Sequence, residues 1–428
     1  MTAPRLVYAD QEGQIFDHPE LAMAGAAAGR WEPVEENQCI PLPEGSELFL
    51  LPKRLPVGLS APGKFEVLEQ DPQNYGRPVT AVAAFMAPAH TATLSAAYKT
   101  LPQATNLPLF AYTAVGFSRG RFVVSGLRVD PSPRQDAAHF PPPARIAAAA
   151  RRLLRVYQEN RLWQHLGTCA LTYCCPAARN LMLGRWEAPL PTSPACNAAC
   201  LGCLNSQPEG RFPCTQQRMQ FTPTAREVAE VANHHFGKGR DPLVSFGQGC
   251  EGEPLLQGEL LAEAIFLIRK KHPRGTINLN TNGSLPKVVA RLMREGLSSI
   301  RVSLNSLIPE RHQIYYQPRG WSFADAMASI QEVKKAGGFA SINLLSLPGV
   351  TDRPEEVEAL YALVKDTRLD LIQWRNLNID PEVYLKALGL SPPAEHLGID
   401  NLIKELSRRF PWLKHGYFNP RLVSLKNR

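Results

Sequence analysis

Short apolar runs and amphipathic runs alternate through the second half of the chain. Pro242–Gly247 (PLVSFG) is a short apolar run bounded by Pro and Gly, and helical periodicity follows from Leu255 to Lys271. Thr276–Asn280 (TINLN) precedes a helix at Pro286–Glu295, and Ser299–Asn305 (SIRVSLN) precedes one at Phe323–Ala336. Phe339–Ser346 (FASINLLS) precedes a helix near Pro354–Lys365, and Leu369–Asn376 (LDLIQWRN) precedes Glu382–Leu388. The segment before Cys196 and a helix at Thr224–Phe236, opened by a Thr224–Glu227 capping box, supply a first unit. Such alternation predicts a parallel sheet covered by helices. The strand bodies read as apolar and the strand ends as polar, and chemistry in parallel α/β folds sits at the carboxyl ends of strands.

The first third of the chain has a different texture. Prolines are scattered, and short strand-like runs occur at Glu47–Pro52, Val79–Phe85, Leu109–Phe117 and Arg121–Val129. They predict a small α+β or mostly β domain, in which Leu21–Gly29 is merely Ala- and Gly-rich. A Pro-rich linker, Pro131–Pro143, leads to one amphipathic helix, Arg145–Leu166, with Ile146, Leu153, Leu154 and Tyr157 on one side and Arg151, Arg152 and Arg155 elsewhere. A solvated basic face on a helix packed against the main domain accounts for that pattern better than a membrane or nucleic-acid surface. The expected division is residues 1–140, an accessory domain; 141–185, a basic helix and cysteine-containing connector; 186–410, the main α/β domain; and 411–428, a tail.

Composition adds limits. A chain of 428 residues with 44% hydrophobic content can bury one large core and one smaller one. The net charge of +8 permits an anionic substrate or RNA without indicating either. His234 and His235, near a helix end, read as surface or capping groups. No apolar run is long enough to span a membrane and no secretory signal is visible at the N-terminus. An odd total of nine cysteines, three of them clustered, argues for a reducing compartment, hence a cytoplasmic location.

Those three, Cys196, Cys200 and Cys203 in CNAACLGC, carry the most information. The spacing C-x3-C-x2-C gathers three soft thiolates and offers no fourth at matching distance. A four-iron cluster normally takes four cysteines, so three would leave one iron open for a reactive ligand. A zinc loop is the competing reading, although structural zinc usually takes paired C-x2-C units.

CNAACLGC resembles the signature of radical S-adenosylmethionine (SAM) enzymes. The resemblance implies a partial (β/α)6 TIM-type barrel and a [4Fe-4S] cluster on Cys196, Cys200 and Cys203. It also implies reductive cleavage of SAM to a 5′-deoxyadenosyl radical that abstracts hydrogen from a substrate, here unidentified. An electron donor such as a flavodoxin or ferredoxin would be the partner. Glu251-Gly252-Glu253-Pro254 looks like the family's GGEP element at the SAM amino group, with either Glu251 or Glu253 facing the cofactor. Ser303 and Asn305 match its polar pair for the ribose or carboxylate of SAM, and Asn282 lies in the T-N-G turn that completes the cradle. Arg375, at the sixth strand end, would pair with a carboxylate of SAM, substrate or protein. The position before the last cysteine, often aromatic in the family, is Gly202, so adenine must rely on other groups.

Cys169, Cys174 and Cys175, with Cys214, would be the ligands of a second Fe–S cluster, their alternative being buried free thiols. Gly247-Gln248-Gly249-Cys250-Glu251-Gly252 satisfies the dinucleotide pattern G-x-G-x-x-G. It lacks the acidic residue about twenty positions on, where Arg269, Lys270 and Lys271 stand instead. The competing function class is a non-catalytic zinc- or RNA-binding module. Within the enzyme class, methyl transfer from SAM stays open.

Overall fold

A computed structural model of the chain describes residues 3–61 and 63–422. Two sheets organise it. The first has 13 strands: β1 (Arg5–Ala9), β2 (Ile15–Ala27), β3 (Arg30–Pro33), β4 (Cys39–Pro41), β5 (Glu47–Leu51), β6 (Arg54–Ser60), β7 (Lys64–Val67), β8 (Thr80–Phe85), β9 (His90–Ala92), β10 (Ser95–Ala96), β11 (Tyr98–Thr100), β12 (Val115–Ser118) and β13 (Arg121–Arg128). All its pairings are antiparallel, including β1 with β2, β12 and β8. The accessory domain is therefore a β structure, and the Ala- and Gly-rich segment is part of its longest strand. Small residues there are a packing device: a Cβ on Gly25 would stand 2.7 Å from Leu94 Cβ. Residues 109–114, expected in a strand, lie outside any.

The predicted single helix of the connector is two. Between α1 (Pro143–Val156) and α2 (Arg161–Leu171) the chain turns, and Asn160 caps the second by accepting from Trp163 N at 3.1 Å. A short α3 (Pro176–Met182) follows. Ile146, Ala150 and Leu153 are buried, while Arg151, Arg152 and Arg155 are exposed.

The second sheet has 7 parallel strands in sequence order: β14 (Arg185–Pro189), β15 (Arg240–Phe246), β16 (Thr276–Thr281), β17 (Ser299–Leu304), β18 (Phe339–Ser346), β19 (Leu371–Asn376) and β20 (Lys414–Gly416). Sequential order with every pairing parallel is the wall of a partial TIM-type barrel. The helices between them are α4 (Ala225–Lys238), α5 (Gly258–Lys271), α6 (Pro286–Glu295), α7 (Pro309–Tyr316), α8 (Phe323–Lys335), α9 (Pro354–Thr367), α10 (Pro381–Leu388) and α11 (Ile399–Arg409). Thr224 and Glu227 form the capping box expected at α4. The seventh strand lies in the segment expected as a tail: Leu371 pairs with Lys414 and Gln373 with Gly416. Lys426 and Arg428 lie outside the described residues.

Alternate residues of a strand face opposite sides. One set, including Val244, Ile277, Leu279, Ile300, Val302 and Ile342, is fully buried in the large core beneath the helices. The other set is polar. Ser245 pairs with Asn278, Asn278 with Ser299, Asn280 with Arg301, and Asn343 with both Ser303 and Gln373. Strand bodies expected to be apolar thus alternate, apolar outward and polar into the lumen. A parallel sheet buried on both faces ordinarily reads as near-continuous apolar runs. This one departs from that on its concave side only.

The antiparallel sheet docks at the carboxyl ends of β18 and β19. Asn376 Oδ1 accepts from Ala92 N at 2.8 Å and Thr91 Oγ1 at 3.1 Å, and Asn376 Nδ2 donates to His90 O at 3.1 Å. Arg54 and Asp380 form a buried ion pair at 3.1 Å across the joint. The N-terminal domain thereby walls one side of the barrel mouth. Among the described residues no helix is long and apolar enough to cross a membrane.

Candidate active site

The cysteine loop leaves β14 and is fastened to three neighbours. Gly252 N donates to Ser193 O at 2.7 Å and Glu253 N to Ala195 O at 2.9 Å, which splices the loop to the turn after β15. A Cβ on Gly252 would stand 1.9 Å from Ala195 O, so only glycine lets these backbones meet. Ala199 N and Leu201 N donate to the carbonyls of Tyr316 and Tyr315 at the end of α7. Asn197, the second residue of the loop, accepts from Asn282 Nδ2 at 2.8 Å and donates to Ser284 Oγ at 3.0 Å.

Cys196, Cys200 and Cys203 are all partly buried. Burial, followed by the neighbouring Cys203 and Cys196, holds the Cys200 thiol well above its ordinary range. Burial also raises the Cys196 thiol, which Arg218 opposes from outside the loop, with Nη2 3.8 Å from Cys203 Sγ and Nε donating to Asn205 Oδ1 at 2.9 Å. Among the described residues, the one group of His, Cys and acidic side chains whose ligand atoms all lie within 4.8 Å of one another is His165, Cys169 and Cys250.

The two glutamates of the EGEP turn differ in what they hold. Glu251 is buried, and its carboxylate accepts from Thr192 N, Thr192 Oγ1, Ser193 N, Gly247 N and Gln248 N at 2.7 to 3.2 Å. Every acceptor direction is used, so Glu251 ties the end of β14 to the end of β15. Glu253, also buried, accepts from Thr281 Oγ1 at 2.5 Å and Leu255 N at 3.0 Å on one oxygen, and from Asn282 N at 2.9 Å on the other. One acceptor direction of Glu253 is left over, and its charge is the one felt at Cys196 and Cys200. Burial pushes both carboxyls up to about 7 against the pull of these donors.

The remaining expected residues divide similarly. Asn282 accepts from Ser284 N at 2.9 Å besides bonding Asn197, so it braces the loop. Ser303 is half-buried on the lumen side of β17 and its hydroxyl has no partner among the described residues. Asn305 donates to Tyr384 Oη at 3.0 Å, and its Oδ1 is buried without a partner. Arg375 lies over the Tyr417 ring at 3.8 Å, with a buried Nε that also has no partner. Ser303, Asn305 Oδ1 and the spare direction of Glu253 are unused polar groups around the loop, and a SAM molecule suits such a set.

Two features were invisible in the sequence. Tyr315, from the unpredicted α7, fills the place of the missing aromatic: a Cβ on Gly202 would stand 2.8 Å from Tyr315 Oη. Arg218 belongs to no motif. The other cysteines also regroup. Cys169 joins Cys250 and His165 Nε2, the latter 3.6 Å from its Sγ. Cys175 lies close enough to be felt by both thiols, whereas Cys174 and Cys214 are exposed.

The sequence of residues 190–364 matches the family model described as the Radical SAM superfamily. Molybdenum cofactor biosynthesis protein 1 of Bos taurus is 26% identical over 178 residues, 41% of this chain and 26% of that protein. FeMo cofactor biosynthesis protein NifB of Chlorobaculum tepidum is 24% identical over 38% of this chain and 42% of its own length. GTP 3′,8-cyclase of Paenarthrobacter nicotinovorans is 29% identical over 43% of this chain and 50% of its own. The chain thus spans half or less of the length of these relatives. The matched segment holds the cysteine loop, the EGEP turn and the carboxyl ends of β15 to β18, and over that segment the chain is similar to the radical SAM superfamily.

Proposed function

We propose that this chain is a cytoplasmic enzyme that cleaves SAM reductively and uses the resulting 5′-deoxyadenosyl radical to take hydrogen from a substrate in the barrel lumen. One observation carries the reading. Three cysteines spaced C-x3-C-x2-C lie on one loop fastened at the mouth of a parallel half-barrel, where Glu253 keeps one acceptor direction and Asn305 Oδ1 is buried without a partner among the described residues.

When bound by Cys196, Cys200 and Cys203, a [4Fe-4S] cluster supplies the electron and an open iron for the methionyl amino and carboxylate groups. Around it, Glu253 offers its spare acceptor to the amino group, and Ser303 and Asn305 offer theirs to the ribose or carboxylate. Gly252, Asn282 and Asn197 hold the loop in place, and Arg218 balances its negative charge. The N-terminal sheet walls the mouth against water. A one-electron donor such as a flavodoxin or ferredoxin completes the reaction. The names of the relatives describe GTP cyclisation and metal-cofactor assembly in those proteins; this chain's substrate is its own question.

The test is anaerobic purification, reconstitution with iron and sulfide, reduction, addition of SAM and assay of 5′-deoxyadenosine. Product that vanishes when the three loop cysteines become alanine is expected. A stoichiometric zinc protein with no SAM cleavage would sink the reading.

A second metal centre, in this reading, centres on Cys169, Cys250 and His165, with Cys174 left out. The triple loop variant should then retain metal that is lost when Cys169→Ser and Cys250→Ser are added. Metal content is the measurement, and a triple variant already free of metal removes the second centre.

A further inference from the structure

Two sets of polar side chains line the concave face of the half-barrel, one paired within itself and one not. In the first, Asn419 Nδ2 donates to Glu187 Oε1 at 2.7 Å and Asn280 Oδ1 at 3.2 Å, and its Oδ1 accepts from Gln373 Nε2 at 2.9 Å. Asn278 bonds Asn280 and Ser299, each at 2.8 Å. These groups satisfy one another, as buried polar groups ordinarily do.

In the second set the pairing is incomplete. Arg301 crosses β18 to donate from Nη1 to Gln373 Oε1 at 2.9 Å, and its Nε is buried with no partner. Asn343 Oδ1 is buried with no partner. Arg375 Nε is likewise orphaned, its guanidinium held only by the face of Tyr417. Neither arginine forms an ion pair with any described residue, and the acid whose charge Arg301 feels, Glu187, is committed to Asn419. Burial, and then the Arg375 charge, push the Arg301 guanidinium down to about 9. Arg301, Asn343 and Arg375 are nonetheless only partly buried, so each keeps some surface that the protein does not cover.

Two like charges in a desolvated lumen, with donors unspent, the Glu187 charge felt but not paired with Arg301, and no ion-paired carboxylate among the described residues, call for an anion from outside. Arginine forks suit carboxylate and phosphate oxygens. Arg301 lies two residues below Ser303 along β17, about 7 Å deeper than the level of the SAM groups. Building on the SAM-cleaving reading above, we infer that Arg301 and Arg375, with Asn343 between their strands, bind an anionic group of the substrate, a carboxylate or a phosphate, and hold it beneath the cofactor.

The test uses the reconstituted, SAM-loaded protein and two probes, succinate and inorganic pyrophosphate, titrated by calorimetry. Saturable binding of one probe is expected, and which one binds separates carboxylate from phosphate. Arg301→Gln and Arg375→Gln should each weaken it roughly tenfold or more, and Arg301→Lys should restore part of the loss. Asn343→Asp, nearly isosteric, guards against a folding artefact: its new carboxylate occupies the arginines and should also weaken the probe. Binding of neither probe, or equal binding by all variants, overturns the inference. So does competition between the probe and SAM, which would assign the arginines to the SAM carboxylate. SAM cleavage by the wild type is measured in parallel. Its absence would sink the enzyme reading, while the probe titrations judge the anion site separately.

Discussion

The two sheets of this protein bury residues for different reasons. In the antiparallel sheet, burial goes mainly with apolarity: Val7, Val82, Val115 and Val124 form one of its clusters, while Arg54, Thr91 and Ser125 are among its buried polar residues. In the parallel sheet they coincide only on the helix-covered face. Its concave face buries Ser245, Asn278, Asn280, Ser299 and Gln373, which are costly to desolvate unless paired. On the function proposed above, burial in the first sheet serves stability and burial on the second sheet's inner face serves the site. Substitutions of similar size should therefore lower melting temperature in one region and ligand loading in the other.

Glycine packing gives the largest contrast. Gly252→Ala forces a methyl into backbone, with Ala195 O at 1.9 Å, and must push the EGEP turn off the cysteine loop. Iron per chain after reconstitution and 5′-deoxyadenosine formation should both fall to near background. Gly25→Ala, in β2, meets Leu94 at 2.7 Å and should cost about 1–3 kcal/mol, as overpacking does. Its melting temperature should drop by several degrees with iron loading unchanged. If the two variants exchanged these phenotypes, the division of labour between the sheets would be wrong.

The glutamate pair sharpens the contrast inside the site. Glu251 has five donors on its carboxylate, so Glu251→Gln turns an amide N–H2 against backbone N–H groups. A stability loss of about 1–3 kcal/mol is expected, read as a fall in melting temperature. Glu253→Gln keeps the oxygen but loses the charge beside an ammonium. SAM affinity should weaken roughly tenfold, while the melting temperature falls less than in the Glu251 variant. A larger affinity loss in the Glu251 variant would reverse which carboxylate faces the cofactor.

Legibility in the sequence followed the same division. The parallel strands were readable because each apolar run is short and bounded by turn residues, and Phe339–Ser346 and Pro286–Glu295 fall where the pattern puts them. The site was readable where spacing carries chemistry, as in the three cysteines. Alternation inside those strands was the overlooked signal: Asn278, Arg301, Asn343 and Gln373 each sit one residue from a buried aliphatic side chain. Arg218 and Tyr315 could not be found, because their roles come from long-range contacts with Cys203 and Gly202. In the N-terminal domain, β2 hid behind alanine and glycine, whose small side chains carry little strand signal although they permit close packing.

The joint between the sheets should respond least, and to pH. His396 bridges the two regions, Nε2 to Glu32 Oε1 and Nδ1 to Asp352 Oδ2, both at 2.8 Å. Hydrogen bonds to Asp352 first and Glu32 second raise it to about 10, against the opposing effect of burial. A raised histidine stabilises the folded state fully below its unfolded value, near 6.5, and that contribution fades as pH rises toward 10. His396→Gln should therefore lower the melting temperature most at about pH 6, and the gap from wild type should close toward pH 10. The effect stays modest because the imidazole retains some exposure and Asp352 keeps donors of its own in Gly349 N and Gly398 N. A gap that does not change with pH would mean that the bridge holds by shape alone. The charged link across the joint would then be the buried Arg54–Asp380 pair.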